Sequence, residues 1–127
     1  MPEAAAIRAT IDTYLAAYTA GHREAWLDLF AEDATMEDPV GSPIRHGREE
    51  IGAFFDQGRA SADSVELRPV GPVIVIGDQA SFLFEVRPVL GGAELVMPAI
   101  DVMTFDEDAR ITSQRAFVDF AMLVPAE

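Results

Sequence analysis

The hydrophobic pattern of this chain changes period at Val65. Before that point apolar residues recur at helical spacing; after it they alternate in runs cut by Gly, Pro and Asp. The first segment, from Pro2 to Gly21, sets Ile7, Ile11, Tyr14, Leu15 and Tyr18 on one stripe. Pro2 suits a first turn and Gly21 suits a stop. A second, shorter helix is predicted in REAWLDLFA (23–31), where Trp26, Leu27, Leu29 and Phe30 supply apolar contacts. Asp33 then opens a turn into a short extended stretch, ATMED (34–38). A third helix is predicted in GREEIGAFFDQG (47–58), burying Ile51, Phe54 and Phe55. Strands are predicted near 65–70, 72–77, 80–89, 94–105 and 110–123, with Gly91-Gly92 as a hairpin turn. Helices first and strands after them make an α+β domain. Three helices across one face of a curved antiparallel sheet would form a cone around an apolar pocket. The 127 residues suit one domain and are too few for two.

Composition removes several chemistries. The net charge of −13 disfavours nucleic acid and anionic membrane surfaces as partners. There is no cysteine, hence no disulfide, thiolate nucleophile or zinc-thiolate site. All nine basic residues are arginine, which excludes a Schiff-base lysine and a phosphate-loop lysine. No Gly-x-Ser-x-Gly elbow or His-Glu-x-x-His pair occurs. The two histidines, His22 and His46, fall at polar helix boundaries and read as exposed. No cluster of metal ligands is evident, so no metal site is expected. Glu49 and Glu50 read as first-turn helix acids. No apolar run approaches the ~20 residues that span a bilayer, and no secretion signal opens the chain. A soluble cytoplasmic protein is the expectation.

Strand alternation locates the pocket. Phe82, Phe84 and Val86 share a face, as do Met97, Ala99, Asp101, Met103 and Phe105, and Ala116, Val118, Phe120 and Met122. The strand near 94–105 also carries Val96, Ile100 and Val102 on its other face. Apolar residues on both faces predict a sheet covered twice, by helices inside and by a second copy of the chain outside.

Two carboxylates stand on apolar faces. Asp38 shares a side with Ala34 and Met36, while Thr35 and Glu37 take the other. Burial raises the pKa of such a group into the range of a general base. Pro39 follows it, and on the local pattern alone a turn aspartate is the commoner outcome. Asp101 lies between Ala99 and Met103, where an unpaired charge is costly. It must be paired (Arg115 is a possible partner), hydrogen-bonded or protonated. Tyr14 and Tyr18 lie on the core stripe, either as plain packing or as buried hydroxyl donors. A base, two donors and an aromatic-lined cavity suit removal of a proton next to a ketone.

With these residues in view, the chain resembles the Δ5-3-ketosteroid isomerases, within the nuclear transport factor 2-like and SnoaL-like fold group. The likeness is carried by the helix with Tyr14, by DLFAEDATMEDPVGSPIRHGREEIGAFF and by IDVMTFDEDARI. It implies that Asp38 in EDPVG is the proton-shuttling base and Tyr14 the oxyanion-hole tyrosine. Asp101 in IDVM would be the protonated acid that donates to the same oxygen. The implied reaction moves a proton from C4 to C6 of a 3-oxo-Δ5-steroid, without cofactor or metal, in a homodimer. Tyr18, Phe54, Phe82, Phe84, Met97, Ala116 and Val118 would bind the substrate. Phe30 and Phe55 stand where the family often has two further tyrosines that hold the first. Val118 replaces a tryptophan seen in some members. Rival readings are another enzyme of this fold (epoxide hydrolase, dehydratase or cyclase) and a non-catalytic binder of flat apolar ligands. The epoxide hydrolases employ an asparagine, which this chain lacks, and the dehydratases favour pocket histidines.

Overall fold

A computed structural model describes residues 1–127. Helix α1, Ala4–Ala20, buries Ile7, Ile11, Tyr14, Leu15 and Tyr18, the stripe set by its spacing. It stops at Gly21, whose φ of 75° places it in the left-handed region where a side chain would be strained. Helix α2 spans only Arg23–Leu27, four residues short of the segment predicted from composition. The cause is tertiary: the Ile111 amide donates to the Leu29 carbonyl at 2.8 Å, drawing the chain into a sheet. Strand β1 therefore begins at Phe30 and runs to Glu37. After a two-residue strand β2, Arg45–His46, helix α3 covers Gly47–Ala60. Glu49 and Glu50 occupy its first turn and Arg59 its last, each matching the helix dipole.

The remaining strands are β3 (Ser64–Pro69), β4 (Ile74–Ile76), β5 (Gln79–Leu90), β6 (Ala93–Phe105), β7 (Ile111–Val118) and β8 (Val124–Pro125). Gly91 and Gly92 close the β5–β6 hairpin, both with positive φ, as a two-residue turn of this kind requires. The main sheet runs β2-β1-β7-β6-β5-β3, with β4 beside β5 and β8 beside β6. All pairs are antiparallel except β1–β7, which is parallel, so the sheet is mixed. Most of the chain lies between these two strands, which leaves room for the long crossover a parallel pair needs. Strand β7 ends at Val118, short of the predicted 123. Asp119 accepts the Ala121 amide at 3.0 Å and starts a 3₁₀ turn over Phe120–Met122. Phe120 and Met122 accordingly leave the strand and are exposed, Phe120 at the edge of the cavity it lines.

Helix α1 lies on β3 and α3 on β1, so helices cover the concave side at both ends of the sheet. Trp26 is fully buried at the hub of the core. Its ring packs within 4.8–5.9 Å of Tyr14, Tyr18, Phe30 and Phe55. The opposite face of the sheet carries an open apolar row flanked by the Arg87–Glu85 and Arg115–Glu37 pairs. Leu83, Ile100 and Phe117 sit abreast on β5, β6 and β7, each more than 40 % exposed. No helix is long and apolar enough to cross a membrane.

Candidate active site

The cone encloses a cavity of about 330 Å³, within the range of small-molecule sites. Its walls come from α1, α3, β3, β5, β6 and β7 and the segment after β7. Asp38 is the one charged residue in its lining. It follows directly on β1, whose alternation turns Ala34 and Met36 into the core and carries Asp38 to the same side. The Asp38–Pro39 bond is cis.

Of the residues expected to bind substrate, Tyr18, Phe54, Phe84, Met97, Ala116 and Val118 line the cavity. Phe82 does not. Its face is the expected one, but it lies a step deeper, opposite Asp101 across β5–β6 and 5.5 Å from the Phe84 ring. There it forms part of the apolar cover over Asp101. Val65, Leu67, Val86, Pro88 and Leu90 complete the walls along β3 and β5. Leu123 enters from the segment after the 3₁₀ turn.

Behind Asp38 lies a buried polar cluster. Asp101 on β6 is fully buried, as is Gln114 on β7, while Tyr14 on α1 is 3 % exposed. The Gln114 Nε2 lies 3.1 Å from Asp38 Oδ2, 3.3 Å from Asp101 Oδ1 and 3.4 Å from the Tyr14 hydroxyl oxygen. Gln114 thus gathers the three groups singled out in the sequence. It is not itself one of them, although the strand pattern carries a signal for it. It shares the strand parity of Ala116 and Val118 and is, like Asp101, a polar residue on an inward face.

Arg115, the possible partner for Asp101, turns the other way and pairs with Glu37 at 3.0 Å. Asp101 therefore has no cation to offset its burial. Burial, with the Asp38 charge adding to it, pushes its pKa well above the ordinary carboxylate range. That direction favours the neutral acid over the carboxylate. Burial also pushes Asp38 up, to about 6, against the Gln114 hydrogen bond and the Arg45 charge. Tyr14 is raised well above the usual phenol by burial and by Asp101 and Asp38, so it stays protonated. Phe30 packs edge-on against Tyr14 at 6.2 Å, and Phe55 against Tyr18 at 5.2 Å. Where further tyrosines would hold Tyr14 by hydroxyls, its polar neighbour here is Gln114. His22 and His46 are exposed, and no three His, Asp or Glu side chains are grouped to hold a metal ion.

The raised Asp38 has a consequence for stability. Between about pH 4 and 6 the folded chain holds a proton on Asp38 that the unfolded chain has released. Stability from this group is therefore lost as pH rises through the folded pKa. Above that pKa, Asp38→Asn is expected to stabilise the fold by ~2 kcal/mol, allowing for solvent screening at the cavity. Urea denaturation at neutral and mildly acidic pH checks this: the gain should be largest on the neutral side.

Comparison with known proteins places this architecture. The SnoaL-like domain family matches residues 11–114. A steroid Delta-isomerase from Nocardioides simplex is 41 % identical over 113 residues, 89 % of this chain and 89 % of that protein. The solved structure of SalBIII, an epoxide hydrolase/cyclase-like enzyme with a role in pyran ring formation in the polyether salinomycin, has the same fold. It superposes with a TM-score of 0.89 at 22 % identity, covering 99 % of this chain and 100 % of that one. With the cone, the inward carboxyl groups and a match over most of its length, the chain belongs to the steroid Δ-isomerase family of SnoaL-like domains.

Proposed function

We propose that this protein is a steroid Δ-isomerase that moves a proton from C4 to C6 of a 3-oxo-Δ5-steroid. The observation that carries the reading is one carboxylate, Asp38, alone as a charge in an apolar cavity, with Tyr14 and Asp101 buried beside it around the Gln114 amide. A base with a pKa of about 6 is ionised at neutral pH, yet basic enough to take a proton next to a ketone. In the forward step Asp38 removes the C4 proton, and the electron pair moves into the ring to leave a dienolate oxygen at C3. Tyr14 and protonated Asp101 donate hydrogen bonds to that oxygen, which is most negative in the intermediate. Asp38 then returns the proton at C6, giving the conjugated Δ4 ketone. The apolar walls bind the flat ring system and exclude water.

The test is ultraviolet assay of 5-androstene-3,17-dione, because conjugation of the product absorbs directly. Activity that is absent from the parent protein, with the steroid bound, would favour a binding module over an enzyme.

The same reading includes a homodimer through the outer face of the sheet. Its support is the row Leu83, Ile100 and Phe117, extended by Val40, Pro98 and Met122 around one shallow concavity. Ile100→Glu places a charge at the centre of that row. It is expected to convert the protein to monomer in sedimentation velocity at micromolar concentration. A parent protein that is already monomeric there would end the dimer reading.

A further inference from the structure

We propose that Gln114 is a positioning residue of this site, its amide tying Asp38 to the Tyr14–Asp101 donor pair. In that role it keeps Asp38 ionised and leaves one oxygen of Asp101 to carry that acid's proton. The roles of the three groups rest on the isomerase reading, but the tether itself rests on geometry. Gln114 is 1 % exposed, on a central strand, and its terminal nitrogen faces three oxygens at 3.1–3.4 Å. Turning the amide over would set its carbonyl oxygen against the Asp38 carboxylate, so the nitrogen belongs there.

An amide nitrogen has two hydrogens, and three acceptors surround this one. The two shorter contacts, to Asp38 and Asp101, take them while Asp38 is charged. An N–H donated to Asp38 favours its ionised form. An N–H donated to Oδ1 of Asp101 leaves the proton of that acid on Oδ2, a buried oxygen with no protein partner. Asp101 is fully buried behind the cavity lining and beside Tyr14, and on the isomerase reading this is the oxygen left to donate toward a ligand. When Asp38 takes up a proton it becomes a weaker acceptor. The hydrogen it releases is then within reach of the Tyr14 oxygen, and a hydrogen bond there strengthens the Tyr14 O–H as a donor. The amide follows the negative charge across the site without any covalent change.

The charged and titratable groups facing Asp38 are Tyr14 and Tyr18 from α1, Arg45 from β2 and Asp101 from β6. Arg45 acts in the same direction as Gln114, while burial pushes the tyrosines and Asp101 toward their neutral forms. Removing Gln114 therefore leaves Arg45 as the one group still favouring the ionised base.

The chain has no asparagine and three glutamines, Gln57, Gln79 and Gln114, so its side-chain amide spectrum in ¹H–¹⁵N NMR is sparse. The Gln114 pair, assigned by triple resonance, is expected to shift with pH at the midpoint of the Asp38 ¹³Cγ resonance. That shift should vanish in Asp38→Asn. Gln114→Met, similar in length but without donors, is expected to move the Asp38 midpoint up by about one pH unit. The loss of kcat/KM should then be about tenfold greater on the acid side than on the alkaline plateau. A Gln114 pair that is silent through the Asp38 titration overturns the proposal. So does a Gln114→Met variant that loses activity equally at every pH with the Asp38 midpoint unmoved. Should Gln114→Met fail to fold, the parent spectrum and Asp38→Asn decide alone. An amide that follows Asp38 in a protein that turns over no 3-oxo-Δ5-steroid supports the tether and sinks the isomerase reading.

Discussion

Asp38→Asn is expected to lower kcat on a 3-oxo-Δ5-steroid by about 10⁴-fold, the top of the range for removing a positioned base. No second charged residue lines the cavity to take over the proton, so the loss falls at that upper end. Asparagine matches aspartate in shape and can still meet the Gln114 amide, so KM should change little. The parent kcat/KM should fall tenfold per unit below about pH 6, as the base becomes protonated. A residual activity within tenfold of the parent would place the base elsewhere. Steady-state assay of conjugated product across the acid range measures both quantities on one preparation.

The second large effect concerns the oxygen that becomes negative. Asp101→Ala is expected to lower kcat by about 10²- to 10³-fold, the usual cost of removing one oxyanion donor. Asp101→Asn keeps an N–H donor and should retain all but about tenfold of the rate. The contrast matters because burial alone predicts something different. If Asp101 were only a neutral filler of the core, the two variants would differ in stability and not in kcat. Affinity for a phenolic enolate mimic gives a check that does not depend on turnover. It should weaken strongly in Asp101→Ala and slightly in Asp101→Asn.

Much of this arrangement could be read from residue order, and the failures have physical causes. Helical spacing placed the buried stripe of α1, because an isolated helix face depends only on local periodicity. The positive φ of Gly91 and Gly92 follows from a turn that only such residues tolerate readily. Inward parity brought out Asp38 and Asp101, and the structure sets both beside one amide. Alternation is blind to strand direction, however, and so could not show that β1 and β7 run parallel. Nor could helical propensity in LDLFA foresee the hydrogen bond from Ile111 that pulls Phe30 into a strand. The end of β7 was lost for a different reason. Phe120 and Met122 keep the apolar alternation, but the Asp119 side chain bends the backbone out of it. Gln114 carries no charge to mark it in the sequence, yet an inward amide is as demanding of partners as an inward acid.

The cavity is also built to different firmness at its two ends. Asp101 and Gln114 are fixed in the middle of long, central strands. The far wall, with Phe120 and Leu123, is fastened by β8 pairing Leu95 with Pro125 and Val96 with Val124, and by one bond from Ala126 to Glu94. Phe120 is 61 % exposed even though it lines the cavity. A rigid ligand can thus be admitted and released by displacing a short C-terminal strap, while the acid, the phenol and the amide keep their spacing. On the proposed reading, traffic and chemistry would fall to separate pieces of chain, and substrate exchange would not loosen the groups assigned to the proton transfer.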